Sequence, residues 1–352
     1  MKIAQNPSFA DLAVANRKIK SRFFAQINLI VDWRPISNLI NKHYSRGMSA
    51  TGQPSYDGLL LFKMGLLQTW YGLSDYEIED RLNDSISFSK FCGLPLDKSA
   101  PDNSTLSRFR TELTEKKVYE KLFRAMNKQL EKHQIIVKKG VLVDASITDS
   151  PLKPKGKANY EIVTDREQEE ISEREIAAVK IIRVNSPGVD TEAAWIKKAG
   201  KLRYGYKKHV VTDEEGLVLG LLTTAANLNE ITNLKDVLDT LKIAEGTPVK
   251  ADKGYQSQKN RDLLEERKLK NHIMKKAKKN QPLTAWEMRF NKLISKTRYK
   301  IERTFGGIKR WFNSGSAKYR GLAKMHTQNL MEAIAYNLYR SPGIIVSNAK
   351  KD

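Results

Sequence analysis

Cysteine is almost absent: Cys92 is the only one in 352 residues, which excludes an intramolecular disulfide and any cysteine-built zinc site. It reads as a small core residue in a reducing compartment. Histidine is scarce as well, and His43, His133, His209, His272 and His326 lie far apart without a short metal-ligand spacing. Long apolar runs are missing too. The greasiest stretch, 58–67, is interrupted by Lys63 and is too short to span a bilayer, and the N-terminus has no apolar signal core. A cytoplasmic, non-membrane protein is expected. The most telling shortage is of negative charge. Forty Asp and Glu face 62 Lys and Arg, a net charge of +22 and a pI of about 9.8. Such a surface attracts phosphates and gains from counterion release, so an extended polyanion is the expected partner. An anionic membrane fits less well, because no amphipathic basic helix stands out. With 40% hydrophobic residues the chain has apolar surface for a sizeable core and length for two domains.

Residues 1–135 read as an all-helical N-terminal domain. Phe23, Phe24, Ile27, Leu29 and Ile30 form a weak apolar patch that should dock on something larger. A mostly buried helix follows from Gly58 and stops at Gly72, and Ser74-Asp75-Tyr76-Glu77 is a capping box for the next. After the turn at Cys92-Gly93-Leu94-Pro95, Asp102 or Ser104 caps a helix that places Arg108 and Arg110 in reach of one face. Val118, Leu122, Met126 and Leu130 mark an amphipathic helix ending near His133. Helices joined by short turns and carrying arginines either read DNA or simply pack together, and the charge of the whole chain leans to DNA contact.

From Gly140 the pattern turns to strands. Val141-Leu142-Val143-Asp144 reads as a buried central strand closed by a carboxylate. Residues 150–157 form a Pro/Lys/Gly loop, and about 150–200 as a whole is a charged excursion with a helix around 170–181. A β-hairpin is expected across Asp213-Glu214-Glu215-Gly216, a helix at about 230–242, and a short strand running into Asp252. A helix at 257–267, a strand at 269–274 and long helices at 283–311 and 324–339 complete the chain, with 341–352 as a loose tail. The order strand, hairpin, helix, strand is that of a ribonuclease-H-like core. The expected fold class is therefore α/β: a mixed sheet flanked by helices over 136–340, preceded by the helical domain.

Phosphoryl transfer on DNA requires metal ions that activate the attacking oxygen and stabilise the leaving one, and Mg²⁺ or Mn²⁺ takes oxygen ligands. Asp144, Asp252 and Glu302 are candidates. Three acids out of 40 can always be chosen, so position must decide. At 100° per residue Arg298, Glu302 and Lys309 share one sector of a helix, beside an apolar stripe of Ile301, Phe305, Ile308 and Phe312. That arrangement fits a metal ligand between phosphate-binding cations, and equally a salt-bridged surface, since Arg298 and Glu302 are i and i+4. Gly306-Gly307 in mid-helix costs roughly 2 kcal/mol, which close approach of DNA or another backbone would explain.

These residues, Val143-Asp144-Ala145-Ser146, Ala251-Asp252-Lys253-Gly254-Tyr255 and Arg298-x3-Glu302-x6-Lys309, resemble the DDE transposases of bacterial insertion sequences, in the subset with a Tyr-x2-Arg-x3-Glu-x6-Lys signature. Trp70 to Asp75 and Pro101 to Thr105 look like that family's helical N-terminal domain, and Asp190 to Trp195, Tyr204 to His209 and Thr224 to Asn227 look like its middle section. One departure is that the signature tyrosine falls at Ser295, with Tyr299 out of phase. The resemblance implies that Asp144, Asp252 and Glu302 are catalytic and bind two Mg²⁺ ions, with Mn²⁺ as substitute. It implies that Arg298 and Lys309 hold DNA backbone, and Lys207, Lys208, Arg108 and Arg110 are the further DNA-contact candidates. Trp195 and Trp311 are candidates for stacking on a displaced base or for the core. The implied activity is binding of terminal inverted repeats, 3′-end cleavage and strand transfer into target DNA, by at least a homodimer once assembled on double-stranded DNA. The alternatives are an inactive transposase-derived DNA-binding protein and a metal-dependent nuclease of the same fold.

Overall fold

The computed structural model describes residues 22–44, 56–155, 159–164, 179–184, 188–278 and 281–348. Among the described residues seven helices come first: α1 (Arg22–Ile30), α2 (Trp33–Asn41), α3 (Gly58–Tyr71), α4 (Asp75–Asp84), α5 (Ile86–Cys92), α6 (Asn103–Glu115) and α7 (Val118–Lys132). Their boundaries follow local chemistry. Asp57 caps α3 and Gly72 ends it in the left-handed conformation, Ser74 and Glu77 form the capping box of α4, and Asp102 caps α6.

The strands are β1 (Val141–Asp149), β2 (Asn159–Thr164), β3 (Val179–Val184), β4 (Ala194–Lys198), β5 (Lys201–Thr212), β6 (Val218–Ala225), β7 (Pro248–Ala251) and β8 (Lys270–Ile273). Helix α8 (Leu234–Asp239) precedes β7, α9 (Gln258–Glu266) links β7 to β8, and α10 (Ala285–Trp311) and α11 (Leu322–Asn348) close the described chain. The sheet runs β6-β5-β1-β7-β8. β1, β5 and β6 are antiparallel neighbours, while β7 is parallel to β1 and β8 to β7. This is the ribonuclease-H-like arrangement. β4 extends the sheet by pairing with the first residues of β5.

Four sequence expectations change. β1 does not end at Asp144: its pairing with β5 continues to Asp149, so Asp144 lies in mid-strand. The helix expected around 170–181 fails over 179–181, which belong to β3 in an antiparallel ribbon with β2, and its remaining residues fall outside the described ones. Helix α8 is shorter than expected. The tail expected from Ser341 is helical to Asn348, because α11 runs through Pro342 and buries Ser341 and Ile344, while 349–352 lie outside the described residues.

One hydrophobic core joins the N-terminal helices to the sheet. Helix α11 is its axis: Ala335 accepts a hydrogen bond from the Trp70 indole at 2.9 Å, and Asn337 bonds both Asn127 and Val218. A Cβ on Gly307 of α10 would lie 3.0 Å from the Trp311 ring of the same helix and 3.1 Å from the Tyr336 ring of α11, so the close approach at that glycine is internal, whereas a Cβ on Gly306 would meet nothing within 4 Å. Among the described residues no helix is long and apolar enough to cross a membrane.

Gly205 allows β1 and β5 to meet. A Cβ on it would sit 2.1 Å from the Thr148 carbonyl oxygen, a backbone atom that cannot swing aside. Gly205→Ala is expected to lower the urea midpoint by the equivalent of about 2 kcal/mol, the range for overpacking.

Candidate functional site

Parallel pairing of β1 with β7 sets Val143 beside Ala251, which brings Asp144 next to Asp252, the residue following β7. Asp252 then opens the short 3₁₀ turn Lys253–Tyr255. Helix α10 crosses these strands with Ile301, Phe305 and Ile308 buried against the core, and that contact turns Arg298 and Glu302 toward Asp144 and Asp252. The two strands and the helix thus deliver three carboxylates to one place.

Arg298 sits among them. Its guanidinium lies 2.7 Å from Asp144 Oδ2, 3.3 Å from Asp252 Oδ1 and 3.7 Å from Glu302 Oε1. Burial works against the charge of Arg298, but Asp144, Asp252 and Glu302 outweigh it and hold its pKa above the ordinary value. Its Nε is buried without a hydrogen-bond partner among the described residues. Exposure rises across the trio, from 19% for the side chain of Asp144 through 37% for Asp252 to 61% for Glu302; Glu302 is the outer and most adjustable member.

Among the described residues no three His, Cys, Asp or Glu side chains are set to hold a metal ion as they stand. The donor chemistry nevertheless fits one. All three groups offer hard oxygen ligands, and three carboxylates sharing one guanidinium leave two negative charges for a divalent cation to meet.

Two contributors were not singled out from the sequence. The Tyr255 side chain is buried, its hydroxyl has no hydrogen-bond partner among the described residues, and burial together with the charges of Asp144 and Glu230 pushes its pKa well up. Glu230 follows β6 and pairs with Lys207 at 3.1 Å. The apolar strand ahead of Asp252 and the tight Lys253-Gly254-Tyr255 turn were the available signals for Tyr255; nothing local pointed to Glu230.

The other cations divide. Lys309 is half-buried two helical turns beyond Glu302 and has no ion-pair partner among the described residues; burial and then Lys208 and Arg203 lower its pKa. Arg108 is exposed and donates to Ser104 at 2.8 Å. Three of the expected DNA-contact residues are engaged within the fold. Lys207 is 2% exposed and donates to the Leu228 carbonyl. Lys208 forms a 2.7 Å buried pair with Glu332. Arg110 grips Asp75 through two nitrogens at 3.0 and 2.6 Å, beneath the Tyr319 ring. None of the three presents a free cation to a phosphate. Lys208→Ala should therefore cost about 3 kcal/mol in denaturant melts, by stranding Glu332, and leave the salt dependence of DNA binding unchanged. Trp311 stacks on Tyr336 at 6.2 Å and Trp195 leans on Tyr204 at 5.0 Å, each with one side left exposed.

On β5, opposite Ala145, His209 is fully buried and bonded to Thr224, and burial, then Lys207, lowers its pKa from 6.5 to about 4. The folded protein keeps it neutral while the unfolded chain takes up a proton, so stability is intact above pH 6.5 and lost toward pH 4. At 1.36 kcal/mol per pKa unit the loss is about 3 kcal/mol. Denaturation midpoints between those limits should slope less in His209→Gln.

Residues 137–338 match the family model described as Transposase DDE domain, and residues 13–112 match one described as a transposase domain. The transposase for insertion sequence element IS1106 of Neisseria meningitidis serogroup B is 35% identical over 236 residues, covering 66% of this chain and 76% of that protein. Two solved structures align more loosely. One is the piggyBac transposase synaptic complex with hairpin DNA, at 10% identity and a TM-score of 0.44, covering 93% of this chain and 75% of that one. The other is the Mos1 strand transfer complex, at 12% identity and a TM-score of 0.20, covering 85% and 80%.

Proposed function

The chain belongs to the DDE transposases of bacterial insertion sequences, and from that premise we propose that it binds the terminal inverted repeats of its own element, cleaves the 3′ ends and joins them to target DNA. The observation that carries the proposal is the convergence of Asp144, Asp252 and Glu302 on one guanidinium. These carboxylates would hold two Mg²⁺ ions, with Mn²⁺ able to substitute. Bound there, such ions supply activation of the attacking oxygen and stabilisation of the leaving one.

The chain's own residues do the rest. Arg298 balances the carboxylates in the ion-free protein and, released from them, is placed to take a backbone phosphate. Lys309 offers a second phosphate contact farther along the same helix; its pKa is lowered first by burial and then by Lys208 and Arg203, and an incoming phosphate would offset that cationic neighbourhood. The helical region up to about residue 135 is the part we assign to recognition of the terminal repeat or to dimerisation, with Arg108 as its exposed DNA-contact candidate. Two DNA ends must be joined in one event, so the working assembly is at least a homodimer on DNA. The net charge of +22 supports such a partner, and the reaction places the protein with the DNA of the cytoplasm.

End recognition has a direct test. Footprinting should show protection over the inverted repeats that flank the gene and none over a scrambled repeat of equal length; equal protection of both would remove terminal-repeat recognition from the proposal.

A further inference from the structure

Helix α10 carries eight cations, Arg289, Lys292, Lys296, Arg298, Lys300, Arg303, Lys309 and Arg310, against two acids, Glu287 and Glu302. Neither acid is free to balance them. Glu287 is held in the N-terminal capping box with Thr284, and Glu302 belongs to the catalytic trio. An ordinary solvated helix face offsets its lysines with acids three or four residues away; this one does not.

The surplus is ordered. At 100° per residue Arg289, Lys292, Lys296, Arg303 and Arg310 fall within about 60° of one another, opposite the stripe of Ile294, Ile301, Phe305 and Ile308. All five are exposed while that apolar stripe is buried. Among the described residues Arg289, Lys292, Lys296 and Arg310 have no acidic partner, and Arg303 donates only to the Glu215 backbone carbonyl, at 2.9 Å. Lys300, at the edge of the row, pairs with Glu215. Tyr299, 53% exposed, stands on the same outward side. From Arg289 to Arg310 the row is about 32 Å long at 1.5 Å per residue, close to one turn of duplex DNA.

We propose that this outward face of α10 is a sequence-independent contact surface for the backbone of duplex DNA, separate from Arg298 and Lys309, which point to the carboxylates and to β5. The proposal rests on the transposase reading and extends it to a particular surface. Regularly spaced, unpaired cations suit phosphates that recur along a groove, and side chains without a fixed acceptor carry no base specificity. Because Glu302 lies on the same rigid helix, DNA tracked along this face is kept in register with the carboxylates.

The test uses the full chain in EDTA, so that metal binding plays no part, and follows fluorescence anisotropy of a random-sequence duplex as salt is raised. Arg289→Gln, Lys292→Gln and Lys296→Gln combined should reduce the slope of log affinity against log salt by about 2.7, three phosphates at about 0.9 each. The loss should be the same on an inverted-repeat duplex. A control set of exposed lysines elsewhere, Lys235→Gln, Lys242→Gln and Lys259→Gln, should leave the slope near the wild-type value. An unchanged slope in the α10 variant overturns the proposal while leaving the transposase reading intact, and so does an equal drop in the control, which would mean that net charge alone matters. A wild type that binds duplex with no salt dependence removes the surface and the DNA-contact reading together.

Discussion

Asp144→Ala and Asp252→Ala are each expected to lower end cleavage and strand transfer by about 10³-fold or more, while binding of a terminal-repeat duplex stays within a few-fold of wild type. Removing a single preorganised transition-state donor already costs about 10²–10³ in other enzymes, and a metal ligand contributes at least as much. Asp144 is the most enclosed of the three and fixes the site, since it comes from mid-strand in β1 between β5 and β7. Glu302, the most exposed, should tolerate Gln with a smaller loss than Asp144→Asn. Asn at position 144 keeps the shape of the side chain, so an inactive Asp144→Asn protein with an unchanged melting temperature would separate chemistry from folding. Full activity in any of these variants would remove that residue from the catalytic set.

Arg298→Ala is the second large effect. Among the described residues the guanidinium is the one cation shared by Asp144, Asp252 and Glu302, and without it three like charges face one another. Breaking a buried pair costs 3–5 kcal/mol; with Asp252 and Glu302 partly in water, about 2 kcal/mol is the expected loss of stability in EDTA. Mg²⁺ or Mn²⁺ should then raise the melting temperature of Arg298→Ala more than that of wild type, because the ions no longer compete with the arginine. Strand transfer should still be impaired, since the phosphate contact is lost as well. A variant as stable as wild type in EDTA, with the same response to Mn²⁺, would show that Arg298 does not balance the carboxylates.

Much of this site was legible because its signals are local. The apolar run before Asp144, the turn chemistry around Gly216 and the period of Ile301, Phe305 and Ile308 each mark an element, and together they set the order of the sheet. What was hidden depends on partners distant in sequence. Lys207 and Lys208 lie on β5, which is covered on both faces, so alternation could not show that they are inside; the acid that holds Lys208, Glu332, is on the last helix. Arg110 looked like a surface cation until Asp75 and Tyr319 closed around it. Residues 341–352 read as a loose tail, yet Ser341 and Ile344 are buried there, and packing outweighs the helix-breaking preference of Pro342 and Gly343. Gly306-Gly307 suggested a close approach; at Gly307 the approaching groups are the Trp311 and Tyr336 rings, and at Gly306 there is none among the described residues.

The most direct measurement supplies purified wild-type protein with a labelled duplex ending in the inverted repeat, an unlabelled target duplex and Mg²⁺, and follows the label on a denaturing gel. The expected result is a longer labelled strand in which the 3′ end of the repeat is joined to target DNA, absent in EDTA and absent with Asp144→Ala. A protein that binds the repeat tightly but yields only the unjoined substrate, or a joined product that persists with Asp144→Ala, would contradict the account.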